Sequence, residues 1–184
     1  APQPGERVLQ VGAGSGYYTA ILSMLVKPGG PVEARANTND QKTKATAPLA
    51  RYDNVTVVAR SGIGVPLPSS DVIYVCAGAT APQRSWLEAL APGGRLIFPL
   101  TPGRDRGAML LVTRSSKGLG ARFISQAWFI PCIGGQDMTE AEALREAVAR
   151  GDSREIRSLR LTPEAPDETC WLAGDGWWLS TAEA

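Results

Sequence analysis

RVLQV (7–11), GAGSG (12–16) and YYTAILSMLV (17–26) follow one another without a break, and their reading decides the fold. The first run is short and apolar and ends in glycine, as a buried strand does. The last has apolar residues at 17, 21 and 25 and at 18 and 22, the spacing of a helix face, until Lys27-Pro28-Gly29-Gly30 stops it. Between them lies a glycine turn. Glycines there permit positive φ and let a ligand approach the backbone, and the helix that follows offers unpaired N–H groups at its start. A dinucleotide fingerprint, GxGxxG, would need glycine at Tyr17. The spacing here is GxGxG, which suits a nucleotide-type ligand with no pyrophosphate to wrap.

Outward from this unit the pattern repeats. Residues 31–36 read as a second strand and 37–51 as a polar helix carrying Ala45, Ala47 and Leu49. VTVVA (55–59) and DVIYVCA (71–77) are β-branched strands, PQRSWLEAL (82–90) is a helix, and Pro92-Gly93-Gly94 turns into the strand RLIFPL (95–100). Strands alternating with helices predict parallel βαβ units. AMLLVT (108–113) and 121–129 follow with no helix between them, which predicts an antiparallel edge. The domain is read as 1–133, with 134–184 a C-terminal helix and Trp-rich hairpin packed on it. In that tail Asp137 caps a helix over 138–150 with Glu140 three residues on, Gly151 ends it, and Leu144 and Val148 face inward. Two strands flank Gly174-Asp175-Gly176. Trp171, Trp177 and Trp178 crowd there as a packing cluster or, alternatively, a stacking surface. The charged run 154–160 reads as a solvated face.

Composition narrows the chemistry. The 184 residues suit one core, with 43% apolar and 20% charged residues. With 19 basic and 18 acidic side chains, no field draws the chain to nucleic acid or an anionic membrane. Histidine is absent, which excludes Ser-His-Asp and Cys-His nucleophilic centres and the common zinc sites; no metal is expected. Cys76, Cys132 and Cys170 are far apart and read as buried structural cysteines, consistent with a reducing cytoplasm. No apolar run is long enough to span a bilayer. The sequence enters its first strand almost at once, as though a preceding segment were lacking.

The blocks VLQVGAGSGYYTAIL (8–22), NVTVVARSG (54–62), DVIYVCAGA (71–79) and LAPGGRLIFPL (90–100) resemble, in order and spacing, the class I methyltransferases, and most closely the protein-L-isoaspartate O-methyltransferase family. The resemblance implies a Rossmann-like α/β fold: a mostly parallel seven-stranded sheet with an antiparallel edge. It implies S-adenosylmethionine across the carboxyl ends of the first strands, S-adenosylhomocysteine as product, and an oxygen acceptor on a protein, peptide or small molecule. That chemistry suits a histidine-free chain, because the sulfonium supplies the reactivity and the protein supplies positioning.

Carried over position by position, the resemblance puts the cofactor on Gln10, Gly12, Ala13, Gly14, Ser15, Gly16, Ala36, Ser61 and Gly62, with Ala77 and Gly78, and Ala79 beside them, facing the transferred methyl. It leaves the catalytic residues and the oligomeric state open. Three places where the family has an acid are neutral here: Gln10 ends the first strand, Ala36 the second, and Ser61-Gly62 fills the turn after the third. Each lost carboxylate removes charge-assisted hydrogen bonds worth about 1.5–3 kcal/mol. Glu33 or Asp40 would replace the ribose acid if the second strand shifted register, and Ser61 would still reach adenine. The alternative is a weakened or inactive methyltransferase-fold binding module, which side chains such as Arg35 or Arg60 filling the pocket would favour. A nicotinamide oxidoreductase is the third reading and lacks the glycine spacing.

Overall fold

In the computed structural model, which describes residues 1–184, β1 (Val8–Val11) is buried at every position. A strand apolar on both faces needs cover on both, and the neighbouring elements supply it. α1 (Tyr17–Leu25) and α2 (Asn39–Leu49) lie on one face, meeting Val8, Val32 and Val72 through Leu22 and Val26, and Ala34 and Ala36 through Ala45 and Leu49. α3 (Arg84–Ala89) and α4 (Met138–Arg150) cover the other, where Leu9, Val11, Ile73 and Val75 join Trp86, Leu87, Leu144 and Ala147 in the main core.

β2 (Val32–Ala36), β3 (Val55–Ala59), β4 (Ser70–Val75) and β5 (Leu90–Leu100) run parallel to β1, in the order β3-β2-β1-β4-β5. β6 (Gly107–Ser115) and β7 (Gly118–Ala127) complete the seven expected strands as the antiparallel edge. The chain order reverses at β1, which pairs with both β2 and β4. In open α/β sheets a ligand crevice forms outside the carboxyl ends of strands at such a switch point. The glycine turn sits there.

The tail continues this sheet. β8 (Ser158–Leu161) pairs with β7, β10 (Trp177–Ser180) with β8, and β9 (Cys170–Gly174) with β10, making ten strands in all. Reading 154–160 as a solvated face is therefore corrected. Ser158 and Leu159 are buried in β8, and Arg160 stacks over Trp178 while pairing with Glu164. The three tail tryptophans are buried, with indole N–H groups on the Gly151 carbonyl, Glu140 and the Glu164 carbonyl, so they pack rather than offer a stacking surface. Asp137 caps α4 through the amides of Thr139 and Glu140. Ala141, Leu144 and Ala147 face inward, whereas Val148 is exposed, contrary to expectation. No helix is long and apolar enough to cross a membrane, and no group of three or more acidic, cysteine or histidine side chains is placed to hold a metal.

Candidate active site at the glycine turn

Gly12, Gly14 and Gly16 all take positive φ, at 90°, 54° and 84°. The turn is strapped to β2 because the Arg35 carbonyl accepts the amides of both Gly12 and Ala13, at 3.1 and 2.9 Å. A Cβ on Gly16 would lie 3.0 Å from the Leu49 side chain, so only glycine lets α2 pack so close. Gly14 faces open space, and Gly14 and Ser15 are exposed. The amides of Gly14, Ser15, Tyr17, Tyr18 and Thr19 donate to no protein acceptor. That row of donors at a helix start suits a carboxylate or another anionic group.

Gln10 works from beneath the turn. It is 1% exposed; its Oε1 accepts from the Thr19 hydroxyl at 2.6 Å, and its Nε2 donates to the Gly12 carbonyl at 3.1 Å and the Cys76 sulfur at 3.4 Å. A carboxylate could not make the last two bonds, so glutamine ties β1 to the turn, to α1 and to the end of β4 at once. Its contacts are internal, and its part in the site is to hold the turn.

Ala36 closes β2 opposite Ala59 and is buried with Ala13, Ala34, Ala45 and Leu49. It offers a ligand no acceptor. The register is unshifted, with Val11 beside Arg35, so Glu33 stays low on the strand and on the other face, ion-paired to Arg35 at 2.8 Å. Asp40 pairs with Lys44 on the surface of α2. The register shift that would have made either acid a replacement does not occur. Asn37, one residue past Ala36, is exposed, and its side-chain amide has no protein partner. Sequence reading passed over it because a lone asparagine after a strand reads as an ordinary loop residue.

The turn after β3 is built tightly. A Cβ on Gly62 would come within 2.5 Å of Val11 Cγ1, and the Gly62 carbonyl accepts the buried Trp86 indole N–H at 2.7 Å. The Ser61 hydroxyl exchanges bonds with the Ile63 carbonyl and amide, at 3.0 Å each. Arg35 is 6% exposed and braces this loop by donating to the Ser61 carbonyl at 3.0 Å, while Arg60 is exposed.

After β4, Ala77, Gly78 and Ala79 are buried. Gly78 bridges to Pro131: its amide donates to the Ile130 carbonyl at 2.8 Å and its carbonyl accepts from Cys132 at 2.7 Å. The residues after β7 thus cover the end of β4. Burial pushes the Cys76 thiol up to about 11 and raises Tyr74 as well, so both remain protonated near neutrality. A cavity of about 1090 Å³ lies elsewhere, between α3, the start of α4 and the β9–β10 turn, and no glycine-turn residue lines it.

The family model for protein-L-isoaspartate(D-aspartate) O-methyltransferase matches residues 2–137. The chain belongs to that family. It is 36% identical over 135 residues to protein-L-isoaspartate O-methyltransferase 2 of Rhodopseudomonas palustris, covering 72% of this chain and 62% of that protein. It is 38% identical over 140 residues to the protein-L-isoaspartate O-methyltransferase of Aeropyrum pernix, covering 72% of this chain and 53% of that one. The chain thus spans between half and two thirds of the length of these curated relatives. A solved protein-L-isoaspartate O-methyltransferase superposes with a TM-score of 0.64 at 21% identity, over 97% of this chain and 64% of its own. The Plasmodium falciparum member in complex with S-adenosyl-L-homocysteine gives a TM-score of 0.63 at 21% identity, covering 71% and 66%. The fold is that of the family, and the chain is a methyltransferase-family domain.

Proposed function

We propose that this domain binds S-adenosylmethionine at the glycine turn and transfers its methyl group to a carboxylate oxygen of a protein or peptide, releasing S-adenosylhomocysteine. The observation that carries the reading is the glycine turn itself, at the switch point, where the amides of the four exposed residues Gly14, Ser15, Tyr17 and Tyr18 are free to receive a ligand. Bound S-adenosylmethionine would supply a methyl group already activated by its sulfonium. The residues present fit it in part. Gly12 to Gly16 would hold the amino-acid end by backbone donors, Asn37 would take a ribose hydroxyl in place of the missing acid, and Ser61-Gly62 with Ala77 and Gly78 would border the base and the reacting methyl. A carboxylate acceptor is favoured because it needs no general base. There is no histidine, and the nearby Tyr74 and Cys76 hold their protons. Catalysis then rests on positioning.

One observation favours a second reading, a binding module that does not turn over. Ala36, at the position the resemblance assigns to the ribose acceptor, is buried in an apolar cluster, so a cofactor there would lack a charge-assisted bond. Titration with S-adenosylhomocysteine by calorimetry separates the two. Micromolar binding supports the enzyme, and transfer of labelled methyl to an isoaspartyl peptide then tests the acceptor. Absence of heat at millimolar ligand, from a protein with a cooperative thermal transition, leaves the binding module.

A further inference from the structure

Three segments meet beyond the end of β4. The residues after β4 bond to the β5–β6 loop, with the Thr101 amide on the Ala79 carbonyl at 2.9 Å, and to the stretch after β7 through Gly78 and Ile130. The last two segments also hold each other. The Trp128 indole N–H donates to the Arg104 carbonyl at 2.9 Å, and the Arg106 guanidinium lies 5.9 Å from the centre of the Trp128 ring.

This edge presents an apolar shelf to solvent. Trp128 is 71% exposed, Ile130 78% and Ile133 65%. Beside it stand two uncompensated cations. Arg104 and Arg106 are exposed, and neither has a carboxylate oxygen within 4.0 Å. The one acid of their loop, Asp105, is taken by Arg145 at 2.8 Å. The chain as a whole is nearly neutral, so the positive charge here is local.

We infer that Arg104 and Arg106, with the Trp128–Ile130 shelf, form a docking rim for the acceptor that selects peptide segments rich in Asp and Glu around the methylated residue. This rests on the methyl-transfer reading for its purpose. Charge complementarity specifies the occupant: the arginines take flanking carboxylates and the shelf takes an apolar side chain, leaving the reacting carboxylate free to turn toward the ligand at the glycine turn. Exposed pairs of this kind contribute modestly and are weakened by salt, which suits a surface that must release its product.

The test compares two fluorescently labelled peptides, identical except that one carries glutamates and the other glutamines around a central isoaspartate. Fluorescence anisotropy at low salt is expected to show the acidic peptide bound about tenfold more tightly, with the preference lost at about 0.5 M sodium chloride. The double variant Arg104→Gln, Arg106→Gln is expected to lose the preference, with its thermal transition and its S-adenosylhomocysteine calorimetry matching the parent protein. Equal affinities, a preference that survives in the double variant, or no binding of either peptide would overturn the inference. A charge preference that the double variant abolishes, in a protein that binds no S-adenosylhomocysteine, would keep the rim and discard the methyl-transfer reading.

Discussion

The Thr19 hydroxyl donates to the buried Gln10 side-chain oxygen at 2.6 Å, joining the first turn of α1 to the strand beneath the glycine turn. Thr19 and Gln10 are 0% and 1% exposed, so neither has water as an alternative partner. Thr19→Val leaves the Gln10 oxygen without a donor and is expected to cost about 1–3 kcal/mol in urea unfolding. Adding Gln10→Leu to that variant should cost less than the sum of the two single changes, because the pair is removed together. Strict additivity would show that the bond contributes nothing.

Two glycines of the site should fail in different ways. Gly62→Ala drives a Cβ into Val11 at 2.5 Å, and overpacking of this kind costs about 1–3 kcal/mol. Gly14→Ala meets open space, and its penalty is the positive φ of 54°, about 1–2 kcal/mol. The new methyl group of Gly14→Ala, however, stands where a ligand would approach the backbone. Calorimetry should therefore show S-adenosylhomocysteine binding abolished in Gly14→Ala despite a stable fold. Unchanged affinity would move the ligand away from the turn.

Asn37 and Ala36 make a matched pair at the end of β2. Asn37→Ala removes an exposed side chain with no protein partner, so the thermal midpoint should not move. The affinity for S-adenosylhomocysteine should fall about fivefold, the worth of one neutral hydrogen bond of about 1 kcal/mol. Ala36→Glu is expected to raise affinity about tenfold or more by restoring a charged acceptor, while lowering stability because Ala36 is buried against Ala45 and Leu49. If both variants bind like the parent, the ribose does not lie at β2.

The strand–turn–helix unit was legible because its signals are local: apolar runs, glycine spacing and the Pro-Gly stop after Val26. The parallel order and the antiparallel β6–β7 edge followed from the presence or absence of a helix between strands. β8 was not legible. SLRL sits among arginines and becomes a strand only through long-range pairing with β7 and β10, which leaves no periodic trace. Val148 was misplaced for a related reason: Ala141 and Ala147, small residues with weak signal, hold the packed side of α4. In the site, the resemblance singled out Gln10 and Ala36 but carried nothing about their surroundings. That Gln10 is bonded inward, that Glu33 faces the other way and that Asn37 stands free depend on register and burial.

The pH dependence of stability should have two limbs, set by groups shifted in opposite directions. Glu6 is held below its ordinary value chiefly by the Arg95 guanidinium, which grips both its oxygens at 2.8 and 2.7 Å, and Asp71 is lowered chiefly by Arg7. Carboxylates with depressed values stabilise the fold above their ordinary pKa, and that contribution is lost as pH falls through the depressed values. Both pairs are partly exposed, so this acid limb should shrink with added salt, and Glu6→Gln or Asp71→Asn should flatten it. Cys76 and Cys132 move the other way, pushed by burial from 9.0 up to about 11. The unfolded thiols ionise first, so stability is intact below pH 9 and falls as pH rises from there toward about 11. Urea midpoints measured across this range should decline on the alkaline side, and Cys76→Ala should reduce the slope even though it lowers the midpoint at neutrality. An alkaline slope unchanged in both Cys76→Ala and Cys132→Ala would mean that the two thiols are not held protonated by the fold.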